Sequence, residues 1–257
     1  MIRAGWRLLR AVLHALHGLF IVLLRFPSLS VAGRRARIRW WSAKMLRMLG
    51  MRLEVRGEFR PGAKLIVANH ISWLDIMAVH AVCPEARFVS KSDVQHWPLV
   101  GRLVASADTL YIERERPRDA LRVVHQMAAA LEAGDTVAVF PEGTTGDGQA
   151  LLPFHANLMQ AAISTRTPVQ PVALRFSDAT RAVSPAALFI GDTTLAQSLW
   201  MLAQGDAMVA HVTVLTAHSS AHADRRSLTG LLRSEIEMAL AAADAQAPDG
   251  VPQGAPA

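Results

Sequence analysis

From Met51 onward, the chain alternates short strand-like runs with longer helical patterns, and this alternation limits the folds that are open to it. The strand-like runs are "RLEVRG", "KLIVAN", "DTLYIER", "TVAVF", "VQPVALRF" and "MVAHVTVLT". The helical patterns between and after them include "SWLDIMAVHAV", "PRDALRVVHQMAAALEA", "HANLMQAAIS" and "SLTGLLRSEIEMALAAA". Strands that alternate with helices at this spacing predict an α/β fold, in which helices flank a mixed, largely parallel sheet.

Charge is distributed unevenly along the chain. Residues 1–60 contain 12 Arg and 1 Lys against only Glu54 and Glu58, whereas residues 61–257 contain 14 basic and 19 acidic side chains. A basic first quarter on a mildly acidic body favours contact with an anionic surface and disfavours a nucleic-acid partner. Membrane phospholipids are the predicted partner for this basic segment.

The same region contains the apolar stretch "AVLHALHGLFIVLL", which is 14 residues long. Our preferred interpretation is a helix in the membrane interface, followed by a basic second helix whose Trp40 and Trp41 lie among the head groups. Three alternatives stay open. A slightly longer helix could cross the bilayer, the "SVA" at 30–32 resembles a signal cleavage site, or two ordinary helices could pack on the core.

These patterns divide the chain into three parts. Residues 1–50 are predicted to form a membrane-associated helical segment, residues 51–243 the main domain, and residues 244–257 a disordered tail without apolar periodicity. Cys83 is the single cysteine and lies in an apolar run, which predicts a buried side chain and excludes a cysteine-based zinc site. We expect no metal.

Two motifs follow predicted strands, where α/β folds usually carry their sites. In "NHISWLD", His70 precedes Asp75 by five residues and lies in the turn after "KLIVA". Asp75 has two interpretations. It is either the partner of His70, or part of an S-x-x-D helix cap that begins at Ser72.

The second motif, "FPEGTTGDG", follows the strand "TVAVF". Such a glycine-rich turn exposes backbone N–H groups that suit an anion or a developing oxyanion. The turn lacks the lysine of a Walker phosphate loop and the spacing of a dinucleotide fingerprint, so nucleoside triphosphate chemistry is disfavoured.

Together the motifs resemble those of the glycerolipid acyltransferases, which include 1-acylglycerol-3-phosphate acyltransferase. "NHISWLD" is similar to their H-x4-D motif and "FPEGTT" to their F-P-E-G-T motif. "LYIERE" and "VQPVAL" resemble the second and fourth blocks of the family, in the same order, so that the resemblance covers about residues 55 to 180. Many members have arginine or serine where this chain has Thr145, which weakens the case for lysophosphatidic acid in particular as the acceptor.

The resemblance implies a role for each motif residue. His70 would be the general base that takes the proton of an acceptor hydroxyl, and Asp75 would fix the histidine tautomer and stabilise the imidazolium. The remaining residues would bind substrate: Arg114 a phosphate, Glu142, Gly143 and Thr144 the glycerol or hydroxyl, and Lys91 a further negative charge.

The predicted activity is transfer of a fatty acyl group from acyl-CoA or acyl carrier protein to the free hydroxyl of a lysolipid. The simplest acceptor is 1-acyl-sn-glycerol-3-phosphate, which would give phosphatidic acid in phospholipid biosynthesis. A lyso-ornithine lipid or another lysophospholipid is the alternative acceptor, and a non-catalytic membrane-binding protein is the alternative of another class. We expect no cofactor beyond the acyl co-substrate, and an active site that faces the cytoplasm at the inner membrane.

Overall fold

The computed structural model describes residues 1–97, 99–112 and 117–245, and a seven-stranded sheet lies at the centre of this part of the chain. The strands are β1 (Met51–Arg56), β2 (Lys64–Ala68), β3 (Ala86–Lys91), β4 (Leu110–Ile112), β5 (Thr136–Val139), β6 (Val169–Ser177) and β7 (Met208–Val214). Their order across the sheet is β1-β7-β6-β2-β5-β3-β4.

All neighbouring strands in this sheet are parallel except β6 and β7, which are antiparallel. Strands β1 and β7 therefore run in the opposite direction to the other five strands. The central strands β2 and β5 are buried along their whole length, as expected for a sheet covered by helices on both faces. This architecture confirms the predicted α/β class with a mixed, largely parallel sheet.

Eight helices are found in the described residues. They are α1 (Ile2–Leu24), α2 (Val31–Met48), α3 (Leu74–Val82), α4 (Val100–Ala105), α5 (Pro117–Glu132), α6 (Met159–Thr165), α7 (Leu195–Gln204) and α8 (Arg225–Ala245). Side chains of α1, α2, α3 and α7 belong to the core cluster on one face of the sheet, and side chains of α5, α6 and α8 to the cluster on the other face.

Three elements were not indicated by the sequence: β3, α4 and α7. Strand β3 contains both Arg87 and Lys91, so its apolar run is too short to stand out, and pairing with β4 and β5 is what keeps it extended. Helix α8 continues to Ala245, two residues into the segment predicted to be a disordered tail. Residues 246–257 lie outside the described part of the chain.

The apolar stretch near the amino terminus is the second half of a 23-residue helix, α1. By length and composition alone, α1 could cross a membrane. One face of it packs against α2 and α7, while a line of apolar side chains on the opposite face is exposed. The segment "SVA" lies at the start of α2, where the Ser30 hydroxyl accepts a hydrogen bond from Gly33 N at 3.2 Å.

Trp41 has a different role from the predicted one. Its indole Nε1 donates to the carbonyl of His14 at 3.1 Å, and His14 Nε2 lies 3.0 Å from the Trp41 carbonyl oxygen. A Cβ at Gly18 would lie 2.3 Å from this indole, so only glycine permits such a close approach. Trp41 therefore joins α2 to α1, and this contact could not be read from the composition of either helix.

Candidate active site

The turn that carries His70 is anchored to the sheet by Asn69, directly after β2. Asn69 Nδ2 donates to the Leu174 carbonyl at 2.9 Å, and Asn69 Oδ1 accepts from Leu174 N at 2.7 Å. The amide side chain thus continues the pairing of β2 with β6 beyond the last backbone pair. This pair of hydrogen bonds fixes the direction in which the chain leaves the strand. The sequence contained Asn69 but gave no sign of its partner, which is 105 residues away.

His70 and Asp75 are in direct contact. His70 Nδ1 lies 2.7 Å from Asp75 Oδ2, and the same oxygen accepts from Ile71 N at 2.7 Å and from Ser72 N at 2.9 Å. The Asp75 side chain is fully buried. Within the described residues, the Ser72 hydroxyl has no partner, so it does not cap α3. Asp75 Oδ2 is therefore compatible with both interpretations. It contacts the ring of His70, as the catalytic interpretation requires, and it accepts hydrogen bonds from the backbone before α3, as a helix cap does.

The ring of His70 is held flat against the ring of Phe140. Their centroids are 4.0 Å apart with an interplanar angle of 4°, and Phe140 stacks in turn on Phe88 at 5.4 Å. When Nδ1 donates to the carboxylate, the neutral ring has its lone pair on Nε2. No described residue bonds Nε2, and the side chain is partly exposed. Nε2 is therefore available as a proton acceptor.

Glu142 holds the backbone of this histidine. Its Oε1 accepts from His70 N at 2.6 Å, and its Oε2 accepts from Leu152 N at 2.9 Å. On the other side, Gly146 N donates to the His70 carbonyl at 2.8 Å. Burial raises the pKa of the Glu142 carboxyl, an effect that the two N–H donors partly offset. The glycine-rich turn therefore clamps His70 through both of its peptide groups.

The other residues of this turn are arranged for close packing. Gly143 has a φ of +73°, and a Cβ there would lie 3.1 Å from the ring of His155. Gly143 N donates to the Phe140 carbonyl at 3.1 Å. The N–H groups of Gly143 and Gly146 were both candidates for binding an oxyanion. In the structure both are bonded to protein carbonyls. Thr144 is exposed.

One predicted cation, Lys91, lies at the end of a strand that runs parallel to β2 and so ends at the same edge of the sheet. Lys91 is the last residue of β3 and is exposed. It is in register with Ile112, the last residue of β4. Arg114 lies outside the described residues, so its phosphate-binding role stays a prediction. The substrate-binding roles of Lys91, Glu142, Gly143 and Thr144 also stay predictions, although both oxygens of Glu142 are already bonded to backbone N–H groups.

We predict that Glu142→Gln lowers kcat more than it changes the KM for the acceptor. Glutamine keeps the size of the side chain but turns one acceptor oxygen into an N–H donor, which would face a backbone N–H and leave it unpaired at a cost of about 1–3 kcal/mol. Steady-state kinetics measures the two parameters separately. A large rise in KM with an unchanged kcat would instead favour direct contact between Glu142 and the acceptor.

The amino-acid sequence of this chain is similar to those of known acyltransferases. The Acyltransferase family model matches residues 52–175. The chain is 39% identical over 153 residues to a lyso-ornithine lipid O-acyltransferase of Pseudomonas aeruginosa, covering 59% of this chain and 58% of that protein. It is 41% identical over 120 residues to a 1-acyl-sn-glycerol-3-phosphate acyltransferase of Neisseria gonorrhoeae, covering 47% of each. The chain thus spans about half the length of these curated relatives.

The fold also matches that of a solved structure. The crystal structure of the 1-acyl-sn-glycerophosphate acyltransferase PlsC from Thermotoga maritima has a TM-score of 0.69 to this chain at 18% identity, covering 95% of this chain and 100% of that one. At that identity the likeness concerns the fold alone. Taken together with the sequence matches, it leads to one conclusion: residues 52–175 of this chain are similar to the acyltransferase family.

Proposed function

We propose that this protein transfers a fatty acyl group from a thioester to the free hydroxyl of a lysolipid. The observation that carries the proposal is the 2.7 Å contact between His70 Nδ1 and the buried Asp75 carboxylate, which leaves Nε2 as the basic nitrogen. A protein that only binds membranes has no need of such a base. The non-catalytic alternative is therefore disfavoured.

In the proposed reaction, Nε2 of His70 takes the proton of the acceptor hydroxyl as the oxygen attacks the thioester carbonyl. Asp75 stabilises the imidazolium that forms. The carbon–sulfur bond then breaks, and the thiolate of coenzyme A or acyl carrier protein leaves, taking the proton back from His70. Because a thiolate is a good leaving group, the enzyme needs no nucleophile of its own, and Ser72 is not required to attack.

The acceptor that we propose first is 1-acyl-sn-glycerol-3-phosphate, with phosphatidic acid as the product. One observation favours a second acceptor, a lyso-ornithine lipid. The hydroxyl of Thr145 donates to the carbonyl of Phe189 and so is engaged within the protein. This position therefore contributes no cation to a phosphate. The relatives that match the chain include a lyso-ornithine lipid O-acyltransferase and a 1-acyl-sn-glycerol-3-phosphate acyltransferase.

The proposal is tested by giving the purified protein a radiolabelled acyl-CoA and, separately, acyl carrier protein loaded with the same acyl group. Each donor is paired with 1-acyl-sn-glycerol-3-phosphate, a lyso-ornithine lipid and lysophosphatidylcholine, and the products are separated by chromatography. We expect labelled product from at least one acceptor, and none without the acceptor. Labelled free fatty acid as the sole product would indicate a thioesterase and would contradict the proposal.

We further predict that Arg114→Ala raises the KM for 1-acyl-sn-glycerol-3-phosphate about tenfold or more, because a guanidinium forms a bidentate pair with a phosphate. Arg114→Lys should restore the KM only in part, since an ammonium group cannot form that fork. The matched control is Arg181→Ala, which removes an exposed arginine from the loop after β6. An acceptor KM that stays unchanged in Arg114→Ala would exclude the phosphate contact.

The apolar amino-terminal helix indicates association with a membrane. We propose that the protein lies on the cytoplasmic face of the inner membrane, because a lysolipid partitions into the bilayer while the acyl thioester is carried in the cytosol. The exposed face of α1 supports contact with a membrane. Its large apolar side chains recur every three or four residues, so they form one continuous line along the helix: Ile2, Trp6, Leu9, Leu13, Leu16, Phe20 and Leu23.

We predict that Leu13→Glu together with Phe20→Glu lowers the affinity of the protein for anionic vesicles at least tenfold, as measured by sedimentation. The two side chains are 56% and 57% exposed, and each should contribute about 2 kcal/mol when buried in lipid. Activity should fall on a membrane-embedded lysolipid and be kept on a short-chain, water-soluble acceptor. The matched control is Leu231→Glu with Met238→Glu, which are 45% and 61% exposed and equally spaced on α8, beyond the other face of the sheet.

Equal losses on both acceptors would mean that the α1 face supports the fold and does not contact lipid. Point substitutions are preferable to deletion of residues 1–50, because the deletion would also remove Met45, Leu46 and Leu49 from the core. Such a deletion would affect folding and membrane binding together. The two double variants separate these effects.

A further inference from the structure

A pocket of about 220 Å³ lies between α1 and α2. Its volume is many times the space that one water needs, so it can accept a group of several heavy atoms. None of the residues proposed for catalysis or substrate binding lines it. The residues that line it come from two facing helices: Arg10, Leu13, His14, His17, Lys44 and Met48.

The lining is strongly cationic. It contains two cationic groups, the guanidinium of Arg10 and the ammonium group of Lys44, beside two imidazoles; burial lowers the pKa of His14, and the first acidic residue of the chain is Glu54. Within the first 53 residues, no carboxylate is therefore available by sequence to neutralise these groups. None of the six lining residues is acidic, and such a lining is complementary to an anion, for example a phosphate group, which arginine and lysine both bind in proteins.

Three of the polar side chains that line the pocket are held in place by aromatic contacts. Lys44 Nζ lies 4.7 Å from the centre of the Trp40 ring, and the His17 ring meets the same indole edge-on at 5.7 Å. His14 is buried and stacks on Trp41 at a centroid distance of 5.4 Å. These contacts restrict the side chains before a ligand arrives, which lowers the entropic cost of binding.

The position of the pocket indicates where its ligand comes from. Arg10 and His17 are seven residues apart, two turns along the same side of α1, and Leu13 lies between them. Leu13 lines the pocket and also belongs to the exposed apolar line on α1. The cationic pocket therefore adjoins a continuous apolar surface. A phosphate with attached acyl chains matches both features, whereas a free phosphate matches only the first.

We propose that this pocket binds the phosphate of an anionic phospholipid head group, with the acyl chains of that lipid along the exposed face of α1. The inference rests on the proposed location of the protein at a membrane. The bound lipid is neither acceptor nor product. Its role is to hold α1 and α2 at a defined depth and rotation in the interface, which a diffuse basic charge cannot do.

The test measures binding of dihexanoyl phosphatidylglycerol, below its micelle concentration, by tryptophan fluorescence and by titration calorimetry. Dihexanoyl phosphatidylcholine is the zwitterionic comparison, and inorganic phosphate is the comparison without acyl chains. The key variant is Arg10→Gln with Lys44→Gln. Its control is Arg52→Gln with Arg226→Gln, two exposed arginines whose replacement lowers the net charge by the same amount.

We expect phosphatidylglycerol to bind more tightly than either comparison ligand, and the Arg10/Lys44 variant to lose at least tenfold in affinity while the control keeps the wild-type value. Lys44→Gln alone should lose part of the affinity, which covers the case in which the double variant folds poorly. If inorganic phosphate binds as tightly as phosphatidylglycerol, the site takes free phosphate and the lipid assignment is wrong.

If the two double variants lose affinity equally, or phosphatidylcholine binds as well as phosphatidylglycerol, the pocket is not a specific site and the inference is overturned. These measurements contain no acyl donor, so their outcome is independent of catalysis. Acyl transfer by the wild-type protein to a water-soluble acceptor tests the proposed function separately. A failure of one proposal can therefore be told apart from a failure of the other.

Discussion

Replacement of His70 by alanine should lower the rate of acyl transfer about 10²- to 10⁴-fold, the usual effect of losing a general base. The acceptor hydroxyl would then have to lose its proton to water during attack. The KM for the acceptor should change much less than kcat, because the imidazole is needed in the transition state more than for binding. Acyl transfer to a water-soluble acceptor, under saturating donor, measures this loss without interference from membrane attachment.

The control for this substitution is His125→Ala, which removes an exposed histidine from α5 on the far side of the sheet. It should leave the rate unchanged. Circular dichroism and thermal melting should show that His70→Ala is folded, although loss of the ring contact with Phe140 will cost some stability. A rate close to wild type in His70→Ala would rule out the proposed mechanism.

The second large effect is expected for Asp75→Asn, with a loss in kcat on the order of 10²- to 10⁴-fold. Asparagine keeps one oxygen that can accept from Ile71 N and Ser72 N, so the start of α3 should survive. What it loses is the negative charge that stabilises the imidazolium of His70. The measurements are kcat, which reports on the lost charge, and the melting temperature, which reports on the capping of α3.

A double-mutant cycle tests whether His70 and Asp75 act together. If His70 and Asp75 act as one unit, Asp75→Asn should cause little further loss in a protein that already carries His70→Ala. Losses that multiply would mean that the two residues act independently. Full activity of Asp75→Asn in the presence of His70 would leave helix capping as the only role of Asp75.

Most of the fold could be predicted from the sequence because its signals are local. Strands β2, β5 and β6 are rich in apolar residues, and α5 begins at Pro117 and ends at Glu132, two residues before Gly134, so each element was identified from its own residues. Strand β3 was missed because its burial depends on neighbours that are distant in the sequence. The reversed direction of β7 was missed for the same reason, since the pattern of a strand does not state its orientation.

For the site, the sequence supplied the residues but not all of their contacts. The spacing of His70 and Asp75 is set by one turn, so their proximity was predictable, and the structure brings the two side chains together at 2.7 Å. Glu142 was expected to contact substrate. It lies 72 residues from His70 along the chain, and only the approach of β5 to β2 brings its carboxylate to the histidine backbone.

The α/β class, the two motifs at strand ends and the basic, apolar character of the amino terminus could therefore be established from the amino-acid sequence. Each of these depends on residues that are close together along the chain. Three features became visible only in the folded chain: Phe140 stacks on His70, Glu142 bonds the histidine backbone, and one particular face of α1 is buried. These contacts join segments from different strands and helices, and their geometry is fixed by the packing of the whole sheet, which no local pattern of residues encodes.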